Sequence, residues 1–159
     1  LRQIATLPTT GPATFRVPEG FAWYALYPEA YAQTADIWAA EQQNRNAARL
    51  LVIGLRSIGT ALGAVVAEAL RRREKQVLRL SPRPSGHPFA REVSLGDAEF
   101  CCDAALIVDE GPGLSGSSMA AAAEALAQRG FPSDRIFFLP GHANGPGNAG
   151  GAQTARWWT

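Results

Sequence analysis

Apolar residues in this chain gather into short unbroken runs, and the segments between them carry helical spacing. Leu50-Leu51-Val52-Ile53, Ala104-Ala105-Leu106-Ile107-Val108 and Ile136-Phe137-Phe138-Leu139 are hydrophobic at every position, the pattern of strands covered on both faces. Gln76–Leu80 reads as a further strand. Over residues 60–73, Leu62, Val65, Val66, Ala69 and Leu70 fall on one helical stripe, and Arg71, Arg72 and Arg73 follow in the last turn, where cations complement the helix dipole. A helix over 29–43 is expected from the Ala-rich stretch that spaces Tyr31, Thr34 and Trp38. Another starts at Ser117 or Ser118 as cap and runs through Gln128, closed by Gly130 with Pro132 beyond.

Apolar strands alternating with amphipathic helices predict right-handed βαβ units. The expected fold class is therefore α/β: three layers, a mostly parallel sheet flanked by helices. One domain over 1–159 is expected. It comprises an N-terminal arm and helix over 1–45, with extended chain and turns around Pro8, Pro12, Pro18 and Pro28, then a core over 50–139 and an irregular tail over 140–159 rich in Gly, Asn and Pro. Residues 81–99, with Pro82, Pro84, Gly86, Pro88 and Gly96, predict a mobile loop or hairpin. Ligands of such sheets bind at the carboxyl ends of the strands, which here are the loops after Leu55, Leu80, Val108 and Leu139.

Composition adds little except by exclusion. A net charge of +1 predicts no general attraction to nucleic acid, so any anion site must be local. The two cysteines, Cys101 and Cys102, are adjacent and bridge each other poorly, so small apolar residues entering a strand and a cytoplasmic location are expected. No apolar run approaches the ~20 residues that span a bilayer, and no basic-then-apolar leader opens the chain.

The chemistry concentrates in Leu106-Ile107-Val108-Asp109-Glu110-Gly111-Pro112-Gly113-Leu114-Ser115-Gly116-Ser117-Ser118: a buried strand, two carboxylates, then a small-residue loop opening a helix. Glycines and serines let backbone amides converge on an anion, and the helix N-terminus adds unpaired donors and its positive dipole end. Carboxylates beside an anion hole suit a ligand that also carries vicinal hydroxyls. A phosphate and a diol on one small molecule describe ribose 5-phosphate.

This segment resembles the signature of type I phosphoribosyltransferases. The resemblance implies that Asp109 and Glu110 contact ribose hydroxyls, while Gly111, Gly113, Leu114, Ser115, Gly116, Ser117 and Ser118 form the 5-phosphate loop. The spacing from the acidic pair to the Ser-Gly step is one residue longer than that family's. The loop Arg56-Ser57-Ile58-Gly59-Thr60, after the first strand, occupies the place of the family's pyrophosphate loop, with Arg56, Ser57, Gly59 and Thr60 as candidate contacts. Residues 81–99 occupy the place of its covering loop, which makes Arg79, Arg83, His87 and Arg91 candidates to meet pyrophosphate. The resemblance covers about Leu50 to Leu139.

What it implies is a magnesium-dependent transfer from phosphoribosyl pyrophosphate to a nitrogenous acceptor, with oxocarbenium character at the anomeric carbon. Mg2+ would be held by substrate and water, with Asp109 the candidate protein contact. The partners expected are a small-molecule substrate, phosphoribosyl pyrophosphate or another ribose 5-phosphate compound, with no nucleic acid and no membrane; a homodimer, or a place in a longer chain, is also open. A non-catalytic phosphoribosyl or nucleotide-binding regulatory module that keeps the phosphate loop is the alternative reading. A phosphosugar-processing enzyme of another class stands third. Gly113-Leu114-Ser115-Gly116-Ser117 lacks the last glycine of a nucleophile elbow, and Gly54 to Gly63 lacks dinucleotide spacing. His142, after the last strand, is placed to touch an acceptor base, whereas Trp157 and Trp158 are expected to pack against the domain.

Overall fold

The computed structural model describes residues 26–41, 47–97 and 99–158. The expectation of extended chain before Pro28 falls on residues outside that set. Helix α1 spans Pro28–Glu41, β1 Arg49–Gly54, α2 Ile58–Arg72, β2 Gln76–Leu80, β3 Ser85–His87, β4 Ala90–Glu92, β5 Ala104–Val108, α3 Ser117–Ala127, β6 Ile136–Leu139 and α4 Ala152–Trp157. Pro28 opens α1 rather than preceding it, in keeping with proline's fitness for a first helical turn, where its missing N–H is no loss.

Four strands form one sheet in the order β2-β1-β5-β6, and each pairing is parallel. The central strands explain the unbroken apolar runs. All five residues of β5 and the last five of β1 are buried, because helices cover both faces. Leu50, Val52, Leu106 and Val108 point into one core with Tyr31, Trp38, Leu62, Val66 and Leu70 of α1 and α2. Leu51, Ile53, Ala105 and Ile107 point the other way, against Met119, Ala122, Ala123 and Leu126 of α3. The expected three layers are thus present, with α1 and α2 on one face and α3 and α4 on the other.

The glycines at Gly54, Gly59 and Gly63 have a packing explanation. A Cβ on Gly63 would stand 2.9 Å from the Gly54 Cα, and one on Gly54 would collide with the Gly59 carbonyl oxygen. They let α2 lie directly on the end of β1, which accounts for the dinucleotide-like pattern without a dinucleotide.

The basic run at the end of α2 is structural as well. Arg73 pairs with Asp36 of α1 at 2.8 Å, and Arg71 donates to the Val77 carbonyl at 3.0 Å. Three local expectations need correction. Cys101 is exposed and lies ahead of β5 rather than buried in it. The residue that caps α3 is Gly116, in the left-handed region at φ 61°, and no side chain caps the helix. The tail is irregular only over 140–151, since α4 follows, and Trp157 and Trp158 pack on the α3 side of the sheet. None of the described helices is long and apolar enough to cross a membrane.

Candidate functional site

Strand β5 delivers Asp109 and Glu110 to the carboxyl edge of the sheet, between the ends of β1 and β6. The Leu55 amide bonds the Val108 carbonyl at 3.0 Å, and the Asp109 amide approaches the Leu139 carbonyl at 3.4 Å. A Cβ on Gly59 would stand 3.1 Å from Asp109 Oδ1, so the start of α2 presses against this carboxyl group. From the other side, the buried Tyr31 of α1 donates its hydroxyl to the Asp109 carbonyl at 2.9 Å. The Gly141 amide donates to the Gly111 carbonyl at 2.8 Å and closes the turn from below.

Burial pushes the Asp109 carboxyl up to about 7, and the neighbouring Glu110 carboxylate acts in the same direction against a stabilising backbone bond. The Tyr31 hydroxyl is held above its ordinary range by burial, then by the charges of Asp109 and Glu110. Two acids and a phenol therefore share one partly desolvated corner.

That corner opens into a cavity of about 490 Å³. Asp109, Glu110, Gly111, Gly113, Leu114, Ser115, Ser117 and Ser118 line it, so the acidic pair and the small-residue loop face one space. The volume lies in the usual range for small-molecule sites. In the loop, the Gly116 amide is tied to the Pro112 carbonyl at 2.9 Å, and the Ser117 amide to Ser115 Oγ at 3.3 Å. The amides of Gly113, Leu114, Ser115 and Ser118 carry no hydrogen bond among the described residues.

Strands β3 and β4 form an antiparallel hairpin within the region read as a mobile loop or hairpin, and its tip reaches the same cavity. Ser117 Oγ donates to the Pro88 carbonyl at 2.8 Å, and Ser115 Oγ lies 2.9 Å from Ser117 Oγ. Both serine hydroxyls therefore hold the hairpin. Phe89 and Arg91 line the cavity beside Pro88, as do Leu26 and His142.

The other residues expected at the site lie elsewhere. Arg56 is exposed, and its Nε donates to the Ser81 carbonyl at 2.8 Å. Ser57 and Thr60 are outside the cavity lining, as are Arg79, Arg83 and His87, all three exposed. The His87 ring instead sits edge-on to Phe89. Gly59 reaches Asp109 without lining the cavity. The sequence carries no local signal for Tyr31 at this corner, because only the packing of α1 across β5 and β6 brings it there. Pro88 and Phe89 had a faint one, an apolar pair at a turn among polar neighbours.

No protein-family model matches the chain, and no curated protein matches it. The solved structures to which it is similar include two phosphoribosyltransferases. A hypoxanthine-guanine phosphoribosyltransferase from L. donovani is 13% identical with a TM-score of 0.46, the match covering 71% of this chain and 65% of that one. An adenine phosphoribosyltransferase from Saccharomyces cerevisiae, solved with an imino-altritol bisphosphate and adenine, is 18% identical with a TM-score of 0.44, covering 71% of this chain and 66% of that one. The chain thus spans just under two thirds of the length of each.

Proposed function

We propose that this chain binds a ribose 5-phosphate compound. The free amides of the 113–118 loop take the phosphate, and Asp109 and Glu110 take the ribose hydroxyls. The observation that carries the reading is the shared cavity: two acidic residues and a loop with unbonded amides line one space at the carboxyl edge of a parallel sheet.

The activity this supports is transfer of the phosphoribosyl group from phosphoribosyl pyrophosphate to a nitrogenous acceptor. The bond from the anomeric carbon to the pyrophosphate oxygen breaks, and a bond to the acceptor nitrogen forms. The chain's part is to fix the phosphate end, orient the ribose and keep the reacting carbon within a partly enclosed space. Among the described residues no three His, Cys, Asp or Glu side chains gather into a metal cage. The paired carboxyls nonetheless fit magnesium, which takes one or two protein oxygens and keeps water and substrate phosphates as its other ligands. Asp109 and Glu110 would hold it, and bound magnesium would neutralise charge on the leaving pyrophosphate.

A second reading, a binding module without turnover, is favoured by the positions of the cations. Arg56, Arg79 and Arg83 lie off the cavity, and Ser115 and Ser117 are engaged with Pro88. Pyrophosphate release separates the two. The protein is incubated with phosphoribosyl pyrophosphate, Mg2+ and a panel of purine and pyrimidine bases; release with one base supports the transferase, and binding without release supports the module. Calorimetry with ribose 5-phosphate at about pH 8 tests the shared core. Asp109→Asn is expected to raise Kd at least about tenfold, the loss of a charge-assisted hydrogen bond. Equal affinity in that variant would remove Asp109 from the site.

A further inference from the structure

The tail beyond His142 lies outside the cavity lining, yet it runs against the back of the loop. The Gly147 amide donates to the Gly113 carbonyl at 3.1 Å, and the Ala149 amide to the Leu114 carbonyl at 3.2 Å. A Cβ on Gly116 would stand 2.8 Å from Trp158 Nε1 and 3.0 Å from both Pro146 and Thr154. Only glycine allows the tail this close, and at φ 61° only glycine adopts the turn without strain.

A trans peptide is planar, and its carbonyl and amide hydrogen point in opposite directions. The peptides joining Gly113, Leu114 and Ser115 are trans. When the tail draws the Gly113 carbonyl toward itself, the Leu114 N–H must point away from the tail. When it draws the Leu114 carbonyl, the Ser115 N–H points away too. Those two amides are among the ones without a hydrogen bond, and their residues line the cavity, whereas none of residues 143–158 does.

We infer that the tail aims the anion-binding amides: Gly147 and Ala149 are positioning residues that act on the ligand through the loop, without touching it. This rests on the reading of the loop as a phosphate cradle. It also extends the functional unit beyond the stretch that carries the sequence resemblance, since the loop's shape depends on residues 146–158.

The test uses ribose 5-phosphate as probe on the whole chain, with calorimetry and amide NMR. Ala149→Pro removes the donor to Leu114. Gly147→Ala adds a Cβ 3.1 Å from the Leu114 carbonyl oxygen and eases the strap off the loop. Gly145→Ala is the control, because a Cβ there meets nothing within 4 Å. In the parent protein the Leu114 and Ser115 amide resonances are expected to shift on ligand addition. In Ala149→Pro, Kd is expected to rise at least about tenfold and those two shifts to shrink even at saturation; Gly147→Ala is expected to change in the same direction by roughly threefold, and Gly145→Ala not at all.

Parental affinity with unaltered Leu114 and Ser115 shifts in both strap variants would overturn the inference while leaving the cradle standing. If Ala149→Pro fails to fold, Gly147→Ala decides alone. A parent protein that does not bind the probe removes the cradle itself, and the inference with it.

Discussion

Asp109 sits where the demands of folding and binding conflict. Its ordinary value is 3.8, and burial moves the folded value to about 7. The unfolded chain therefore releases this proton first. Between about pH 4 and pH 7 the native state binds more protons than the unfolded one, so stability falls as pH rises across that window. Each unit corresponds to about 1.4 kcal/mol. Between about pH 5 and pH 8 the urea-unfolding free energy is expected to fall by roughly 2–3 kcal/mol more in the parent than in Asp109→Asn. Equal slopes in the two proteins would place the carboxyl group in water.

The same carboxyl group shows how far residues alone could be read. Two adjacent acids after an apolar strand pointed to a ligand, but nothing at positions 109 and 110 announced the tyrosine that braces them. Tyr31 is 78 residues away in sequence. Its spacing with Trp38 identified a buried helix face without saying what that face would meet.

Among the elements, the β3–β4 hairpin stands apart from the four-stranded sheet and reaches the cavity with its tip. It is three residues per strand, and its side chains are mostly exposed. A two-stranded ribbon this short has little stability of its own. β4 packs against α3, and the bonds from Ser115 and Ser117 to Pro88 tie the tip over the cavity. Ser117→Ala removes the 2.8 Å bond, worth about 1 kcal/mol. Amide hydrogen exchange in the hairpin is expected to accelerate roughly fivefold in that variant, with exchange in β1 and β5 unchanged. Unaltered hairpin exchange would mean that packing of Phe89 and Pro88, not the serine bond, holds it down.

The elements themselves were largely legible. Runs such as Leu106-Ile107-Val108 can be satisfied only with cover on both faces, and the stripe on α2 matches the face it buries. The cap of α3 was less so: serine is the better capping residue in general, but Gly116 takes the position because its backbone is left-handed and the tail crowds it.

At the scale of the molecule, two cores share one sheet, and alternate residues of β1 and β5 serve each. Leu106 is fully buried toward α1 and α2, and Ile107, its neighbour, toward α3. Leu106→Ala is expected to cost about 3–5 kcal/mol, the range for a large side chain removed from a packed interior. Denaturant unfolding checks this, and a loss below about 1 kcal/mol would show a core able to collapse onto the gap.

What the chain determined by itself was periodicity: the four strands of the sheet, the helices α1 to α3, and that their alternation makes a parallel sheet whose carboxyl edge carries the acidic pair after β5. Those are consequences of local hydrophobic pattern and turn chemistry, which act over a few residues. The tertiary structure decided which side chains share the cavity. It drew Arg56 to the Ser81 carbonyl and left Arg79 and Arg83 in solvent, and it brought Tyr31, Pro88 and the 146–158 strap against the loop. Those contacts join segments far apart in sequence. Their geometry follows from the packing of whole layers, which no local pattern encodes.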